Sequence, residues 1–287
     1  MRKTIIKMIM IVILCLCMIT SYFIYVSYYK VEVTDYEISS AKINNDVTIV
    51  TIADVHDQYC KIKDQIVDRI EQLNPDIILC VGDIIDSESS DDESIIEFLE
   101  SLTEITEVYF SLGNHELEYA DSKKLIENIK NIGVTVLDKV YQDIEVNGNT
   151  IRIGGMYDYA FSQETGDIDQ KTMESDVYNF LTEMKQTSSF QLMMAHRPDS
   201  FIFGKAYKWD FDLVVSGHYH GGQVILPYVG GLYAPELGWF PEVDYGHYKL
   251  ENMDMIVTRG ISSSDEMFPR FNNPPEIVSI TLKAKEG

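Results

Sequence analysis

The sequence predicts one membrane-spanning helix followed by an α/β domain with a buried sheet. Two observations lead to this fold class. Residues 8–29 contain no charged side chain. Beyond residue 46, short apolar runs of β type alternate with amphipathic helical stretches, which is the pattern of strands and helices packed around a sheet. We therefore divide the chain into a membrane anchor (1–30), a polar connector (31–45) and one domain (46–287).

The N-terminal segment is long enough to cross a bilayer. As a helix, residues 8–29 would span roughly 33 Å at ~1.5 Å per residue, against a hydrocarbon core of ~30 Å. Lys3 and Lys7 precede this run, whereas Glu32 and Asp35 follow it. Positive charge favours the cytoplasmic side, so we expect a single-pass protein of the cell membrane with an extracytoplasmic domain. The alternative is a cleaved signal peptide, but the run is long and no small-x-small cleavage site follows it.

The net charge and the cysteines narrow the possible partners and sites. The chain has 23 Lys and Arg residues against 46 Asp and Glu residues, a formal net charge of -23. Such a surface repels nucleic acid at long range, so nucleic acid is not an expected partner. The cysteines show no C-x-x-C pattern, which argues against a zinc knuckle or a redox motif; they are Cys15, Cys17, Cys60 and Cys80.

The elements of the domain follow one another in a regular order. Residues 47–53 form the first apolar run, and the next pattern is helical because Ile62, Ile66 and Ile70 share one face. A second helix is predicted around residues 94–103. The further runs of β type are 77–81, 108–112, 134–137, 150–153, 190–195, 211–215, 255–258 and 277–282. The stretch 221–246, rich in Gly, Pro and Tyr, is typical of a loop with a short hairpin.

Five of the apolar runs end in residue types that bind metals. In chain order the motifs are Asp54-x-His56, Gly82-Asp83-x-x-Asp86, Gly113-Asn114-His115-Glu116, His196 and Gly217-His218-x-His220. Open α/β sheets build their sites at the carboxyl ends of strands, so we expect these side chains to converge. Five of the six histidines fall in these motifs, which separate structural histidines would not explain.

This ligand set favours two divalent metal ions. Imidazole and carboxylate groups select first-row ions such as Mn, Fe or Zn over calcium. Two such ions ~3.5–4 Å apart can clamp a phosphate and activate water near neutral pH. Because two dications that close repel each other, the site also needs a bridging carboxylate.

The five motifs, in this order, resemble those of the calcineurin-like metallophosphoesterase superfamily over residues 54–220. Two further stretches, 216–223 and the tail 269–276, are similar to its membrane-anchored bacterial branch. The resemblance implies an α+β sandwich of two packed mixed β-sheets flanked by helices. It also implies hydrolysis of phosphomonoester, phosphodiester or pyrophosphate bonds by a metal-bound hydroxide.

The resemblance implies a role for each motif residue. The first metal would be held by Asp54, His56 and His220. The second would be held by Asn114, His196 and His218, and both metals would be bridged by Asp83. His115 would bind no metal but would donate a proton to the leaving alkoxide, or a hydrogen bond to the phosphate, and would be oriented by Asp86.

The substrate stays open at this point. A membrane anchor and an acidic surface favour a phosphorylated small molecule or a lipid-linked substrate at the membrane surface. The alternatives are a nucleotide or nucleic-acid phosphodiesterase and a non-catalytic metal-binding scaffold of the same fold. Arg197 follows a ligand and could contact a substrate phosphate or be structural. The aromatic-rich stretch 228–248 could receive a lipid or a sugar, or could pack over the sheet.

Overall fold

The computed structural model describes residues 2–57, 61–156, 174–202, 206–234, 237–262 and 268–285. A long N-terminal helix, α1 (Arg2–Tyr29), leads into a domain of two packed six-stranded sheets with helices on their outer faces. The prediction of two mixed sheets flanked by helices, behind one apolar N-terminal helix, is therefore confirmed. Cys60 lies outside the described residues, and Cys80 is buried and free.

The first sheet consists, in spatial order, of β1 (Glu32–Ser40), β16 (Glu276–Ala284), β2 (Val47–Ile52), β3 (Ile77–Val81), β4 (Val108–Ser111) and β5 (Thr135–Leu137). The strands from β2 to β5 are parallel to their neighbours, whereas β16 pairs antiparallel with β2 and parallel with β1. Strand β1 lies in the segment predicted as a polar connector. An edge strand has one exposed side, so its polar residues hide the strand pattern.

The second sheet consists, in spatial order, of β14 (Gly246–Leu250), β15 (Met253–Val257), β9 (Leu213–Ser216), β8 (Phe190–Ala195), β7 (Asn149–Met156) and β6 (Val140–Val146). Its central strands β7, β8, β9 and β15 are parallel. Two short hairpins follow β9 in the chain, formed by β10 (Ile225–Leu226) with β11 (Gly230–Gly231) and by β12 (Tyr233–Ala234) with β13 (Gly238–Trp239). The sequence predicts hairpin structure in this region.

The helices of the domain are α2 (Lys63–Leu73), α3 (Asp92–Thr103), α4 (Asn114–Glu118), α5 (Ser122–Asn131), α6 (Ser175–Met184) and α7 (Asp199–Ile202). Helix α2 buries Ile66 and Ile70 one turn apart and ends at Asn74, whose left-handed φ of 46° stops the helix before Pro75. Helix α3 begins at the N-cap Asp91, which accepts a hydrogen bond from the Ser94 amide.

Three apolar clusters hold the layers together. One lies between the sheets and joins side chains such as Ile49 and Leu79 of the first sheet to Leu192 and Val215 of the second. Another fills the space between the first sheet and α2, α3 and α5. A third lies between the second sheet and α6 and α7. Most central strands are thus buried on both faces, which explains their continuous apolar runs.

Candidate metal centre

The predicted ligands lie where strands of both sheets end. Asp54 and His56 follow β2, Asp83 follows β3, and Asn114 follows β4. In the second sheet His196 follows β8, and the segment 217–220 follows β9. Backbone hydrogen bonds continue past the strand ends, from the Asp54 amide to the Gly82 carbonyl and from the Gly217 amide to the His196 carbonyl. The ligand loops of the two sheets therefore meet at one edge of the sandwich.

Candidate ligand atoms gather in two buried groups and one at the margin. Within each group the ligand atoms lie within 4.8 Å of one another. One buried group consists of Asp54, His56 and His220, and the other consists of Asp83, His196 and His218. The group at the margin consists of His56, Asp86 and His115. The first two groups are buried, whereas Asp86 and His115 are partly exposed. The buried groups adjoin, because Asp54 Oδ1 lies 3.8 Å from His196 Nε2.

Each of three histidine rings is fixed through its Nδ1 atom. The Nδ1 atom of His56 lies 2.8 Å from Asp86 Oδ1, that of His196 lies 2.9 Å from the Val81 carbonyl, and that of His220 lies 3.1 Å from the Ser262 carbonyl. These acceptors place the ring proton on Nδ1 and leave Nε2 as the lone-pair donor to a metal.

Several buried ligand atoms have no hydrogen-bond partner among the described residues. They include Nε2 of His56 and Oδ1 of Asn114. An unpartnered buried polar atom costs free energy, so these atoms are suited to contact with a bound group. A divalent cation suits an imidazole nitrogen beside carboxylates. The residues present thus fit a metal centre.

Charge inside the centre is balanced by a carboxylate–imidazole pair. Asp83 Oδ2 lies 2.9 Å from His196 Nε2. Burial opposes ionisation of Asp83, but His196 and His56 hold the pKa of its carboxyl well below the usual range. Burial likewise opposes a charged ring at His196, but Asp83 and Asp54 raise the pKa of His196 to about 10. A cation binding here would replace the proton of His196.

The ligand backbone is held in a sparsely populated conformation. Five of the seven predicted metal ligands have positive φ angles: Asp54 (50°), His56 (48°), Asp83 (51°), His218 (72°) and His220 (46°). Each such residue costs of order 1–3 kcal/mol, and this conformation persists only where the surroundings enforce it. Asp and His adopt it more readily than most residues. Several predicted ligands are therefore held in a strained backbone conformation.

Glycines beside the ligands are required because ligand side chains pass close to their Cα atoms, and in one case also because of the backbone conformation. A Cβ atom at Gly113 would lie 2.3 Å from Asp83 Oδ1, and one at Gly217 would lie 2.5 Å from Asp54 Oδ2. Neither distance is compatible with a side chain. Gly82 combines a positive φ of 75° with contact to the His196 ring.

His115 and Asp86 are not in contact through a hydrogen bond. The resemblance implies that Asp86 orients His115, but the Nδ1 atom of His115 lies 3.9 Å from Asp86 Oδ1. The Ser87 amide instead donates to this Nδ1 atom over 3.0 Å, which leaves the proton of the neutral ring on Nε2. Burial lowers the pKa of His115. Asp86 pairs with His56 and accepts from the Asp57 amide.

Glu116 holds two ligand loops together and was not assigned a role from the sequence. Its buried carboxylate accepts hydrogen bonds from the amides of Gly113, Asp83, Ile84 and Ile85. Burial and Asp83 raise its pKa to about 7. In the sequence, Glu116 is marked only by its position next to His115 in the motif. The spacing of the motif does not reveal that its carboxylate accepts four backbone hydrogen bonds.

The tail segment 270–273 supports His220 from behind, which the sequence also did not indicate. The Asn273 amide group donates to the carbonyls of His220 (2.7 Å) and Gln223 (3.2 Å). Arg270 is buried and donates to the Ser262 carbonyl, which is also the acceptor for the His220 ring. The sequence singled out this tail only as a family feature.

Arg197 and Tyr219 converge on one acidic residue. Arg197 Nε donates to Asp199 Oδ2 over 2.8 Å, and the Tyr219 hydroxyl donates to Asp199 Oδ1. Tyr219 is fully buried in the cluster beneath the second sheet. This contact gives Arg197 a structural partner two residues along the chain.

Comparison with known proteins agrees with this centre. A family model described as calcineurin-like phosphoesterase matches residues 47–222. The chain is 26% identical over 259 residues to an uncharacterized metallophosphoesterase of Campylobacter jejuni, covering 89% of this chain but only 64% of that protein. It is 27% identical to the phosphodiesterase YaeI of Escherichia coli, covering 82% and 81% of the two chains. It is 28% identical to a transmembrane protein with metallophosphoesterase domain of Danio rerio, covering 67% of this chain and 45% of that one.

Proposed function

Because this chain belongs to the calcineurin-like phosphoesterase family, we propose that it hydrolyses phosphoesters at a membrane surface through a dinuclear metal site. That the protein is a metal-dependent phosphoester hydrolase follows from its family and its homologues. The observation that carries the proposal is the pair of unpartnered buried atoms, His56 Nε2 and Asn114 Oδ1, inside a cluster of carboxylates and imidazoles.

The ligand assignment is the one that the family resemblance implies, and the two buried groups support it. The first divalent ion would be held by Asp54, His56 and His220. The second would be held by Asn114, His196 and His218, with Asp83 between the two ions. Mn, Fe or Zn suits these donors. When bound, the ions supply a Lewis acid for the phosphoryl oxygens and a nucleophile generated from water.

His115 is placed to assist the leaving group. In hydrolysis, an oxygen from water bonds to phosphorus, the ester P–O bond breaks, and the leaving oxygen takes up a proton. The neutral His115 ring carries a proton on Nε2, because its Nδ1 atom accepts from the Ser87 amide. We assign His115 as the hydrogen-bond donor to that oxygen, which takes its proton from water. Asp86 orients the ligand His56 in this scheme, rather than His115.

The membrane location rests on α1. Over Lys3–Tyr29 it is the one helix among the described residues that is long and apolar enough to cross a membrane. A signal sequence near the N-terminus has the same composition. An uncleaved anchor is supported by the hydrogen bonds of Ser27 and Tyr28 to the tail segment, because a cleaved chain would lose them. The positive charges at the start of α1, before its apolar run, favour an extracytoplasmic domain.

The substrate class follows from the anchor and the charge. A site held at the membrane favours a small or lipid-linked phosphoester. The net charge of -23 argues against a nucleic-acid substrate. A non-catalytic scaffold is disfavoured because His115, which would bind no metal, is still present beside the ligands.

The test is hydrolysis by the purified full-length protein in detergent. The probes are the chromogenic substrates p-nitrophenyl phosphate and bis-p-nitrophenyl phosphate, with a single-stranded DNA oligonucleotide for comparison. We expect Mn²⁺-dependent release of nitrophenol, its loss on chelation, and little attack on DNA. Bound metal without hydrolysis of any phosphoester would favour the scaffold and contradict the proposal.

A further inference from the structure

The end of α1 is packed against the domain. Ser27 is buried, and its hydroxyl oxygen accepts a hydrogen bond from the Asn273 amide over 3.1 Å. The Tyr28 hydroxyl accepts one from the Arg270 amide over 3.2 Å. One turn earlier, the Phe23 ring lies 5.3 Å from the Phe271 ring, measured between centroids. The last turns of α1 and the tail segment 270–273 therefore form one contact.

The length of α1 sets the depth of this contact. From Lys7, the last charged residue before the apolar run, Phe23 is 16 residues away, about 24 Å along the helix axis. The hydrocarbon core of a bilayer is ~30 Å thick. Phe23 therefore lies near the far boundary of the core, where the exposed rings of Tyr22, Tyr25 and Tyr29 would form an aromatic belt. Phe271, which touches Phe23, lies at the same level.

Four large apolar residues on the two short hairpins are exposed; we call them the aromatic patch. Their exposed fractions are 107% for Tyr228, 62% for Val229, 56% for Trp239 and 56% for Phe240. Tyr228 and Val229 occupy the turn between β10 and β11, and Trp239 ends β13. Large apolar side chains exposed together on two successive hairpins are typical of a contact with a partner or a membrane.

The aromatic patch is joined directly to the contact of α1. The Ile225 amide donates to the Phe271 carbonyl over 3.0 Å, and the Asn272 side chain donates to the Ile225 carbonyl over 2.9 Å. The first hairpin is thus bonded to the residues beside Phe23. Trp239 packs on Phe268 at 5.4 Å between ring centroids, two residues before Arg270, which contacts Tyr28.

We propose that the aromatic patch lies in the interface of the bilayer that holds α1, as a second membrane contact of the domain. This inference rests on the membrane anchor proposed above. Tyr, Trp and Phe side chains suit the boundary between headgroups and acyl chains. With a net charge of -23 the chain gains nothing from anionic lipid, so the contact is apolar and a neutral bilayer suffices.

The contact fixes the domain relative to the membrane. The Leu232 amide, between the two hairpins, donates to the Gly222 carbonyl over 3.1 Å, within the turn that begins at His220. Loops that rest on the bilayer are thereby attached to a predicted metal ligand.

The test uses tryptophan emission, because the chain has two tryptophans in different settings. Trp209 is buried, only 9% exposed, and Trp239 belongs to the aromatic patch. The full-length protein is placed in phosphatidylcholine nanodiscs with or without bromine at the upper acyl carbons, where bromine quenches only nearby rings. We expect bromine to cause loss of wild-type emission and no loss in Trp239→Phe, which retains Trp209.

Two more variants make the result independent of the Trp239 substitution alone. In the Trp239→Phe background, Val229→Trp places a reporter on the first hairpin and should be quenched. Val140→Trp, at an exposed position (48%) on the edge strand β6, is the matched control and should not be quenched. Equal emission with and without bromine, for both wild type and Val229→Trp, would overturn the inference.

Further measurements on the same samples distinguish failure of this inference from failure of the proposed membrane anchor or of the proposed hydrolysis. Failure of the protein to enter nanodiscs would overturn both the anchor and the patch contact. Protein that enters nanodiscs and hydrolyses p-nitrophenyl phosphate, yet shows no quenching, would overturn the patch contact alone. Quenching without hydrolysis would support the contact and contradict the proposed function. If another copy covered the patch, emission would change with protein concentration and not with bromine, which would also overturn it.

Discussion

Asp86 is hydrogen-bonded to the ring of His56, with 2.8 Å between Oδ1 and Nδ1. His56 is a predicted ligand of the first metal, and its Nε2 atom has no hydrogen-bond partner among the described residues. A carboxylate behind a ligating imidazole fixes the ring and raises its basicity. The position of Asp86 therefore supports a role in metal binding through His56 more than the role of orienting His115 that the resemblance implies.

The first prediction concerns Asp86→Asn. Loss of the carboxylate charge behind His56 should weaken metal binding about 10–100-fold. The measurement is calorimetric titration of the metal-depleted protein with Mn²⁺. Asp68→Asn, an exposed position on α2, is the matched control and should titrate like wild type. Unchanged Mn²⁺ affinity in Asp86→Asn would contradict the role given to this residue.

The second prediction separates His115 from the ligands. His115→Ala should keep its metal content but lower turnover about 10²–10³-fold, the usual cost of removing a positioned hydrogen-bond donor to a developing oxyanion. Asp83→Asn should lose metal as well, because Asp83 lies within 2.9 Å of His196 and is assigned to bridge the ions. Elemental analysis and p-nitrophenyl phosphate hydrolysis report the two quantities. Wild-type rates in His115→Ala would refute its role.

The sequence could predict which loops meet but not how they are supported. Buried parallel strands place their carboxyl ends on one edge, so motif residues such as Asp54 and His196 converge, although they are far apart in the chain. The contacts of Asp86 were not predictable. Spacing places it near both His56 and His115, and only side-chain geometry decides between them.

Residues that support the site from far along the chain are even harder to recognise in the sequence. Asn273 is polar, lies outside the five motifs and acts on a carbonyl 53 positions earlier, so neither periodicity nor composition marks it. Strand β1 was hidden for a related reason. Its parallel pairing with β16, such as Tyr36 with Ile280, supplies the stability that its own polar sequence does not indicate.

The third prediction concerns Glu116→Gln. The carboxylate accepts four backbone hydrogen bonds, and an amide would turn two of its lone-pair positions into N–H groups facing other N–H donors. Leaving buried donors unsatisfied costs about 1–3 kcal/mol each. Urea unfolding should show this loss in free energy, together with weaker Mn²⁺ binding. Glu118→Gln, two residues on and exposed, should change neither. Wild-type stability in Glu116→Gln would contradict the account.

The fourth prediction compares two neighbouring asparagines in the tail segment. Asn273→Ala removes the hydrogen bonds to the His220 and Gln223 carbonyls inside the protein, whereas Asn272→Ala removes one bond to Ile225 at the base of the first hairpin. Buried carbonyls without partners should cost Asn273→Ala about 1–3 kcal/mol of unfolding free energy. Because His220 carries a strained backbone, with φ of 46°, releasing its carbonyl should also let it move from the ligand position.

The two variants should therefore differ in how metal affects their stability. A ligand that binds only the folded state raises the free energy of unfolding with its affinity. Addition of Mn²⁺ should raise the free energy of unfolding of Asn272→Ala as much as that of wild type, and that of Asn273→Ala by less. When the metal is chelated, the difference in unfolding free energy between Asn273→Ala and wild type should shrink. Thermal unfolding at several Mn²⁺ concentrations measures this. If metal stabilises both variants equally, Asn273 supports the fold of the tail and not the ligand His220.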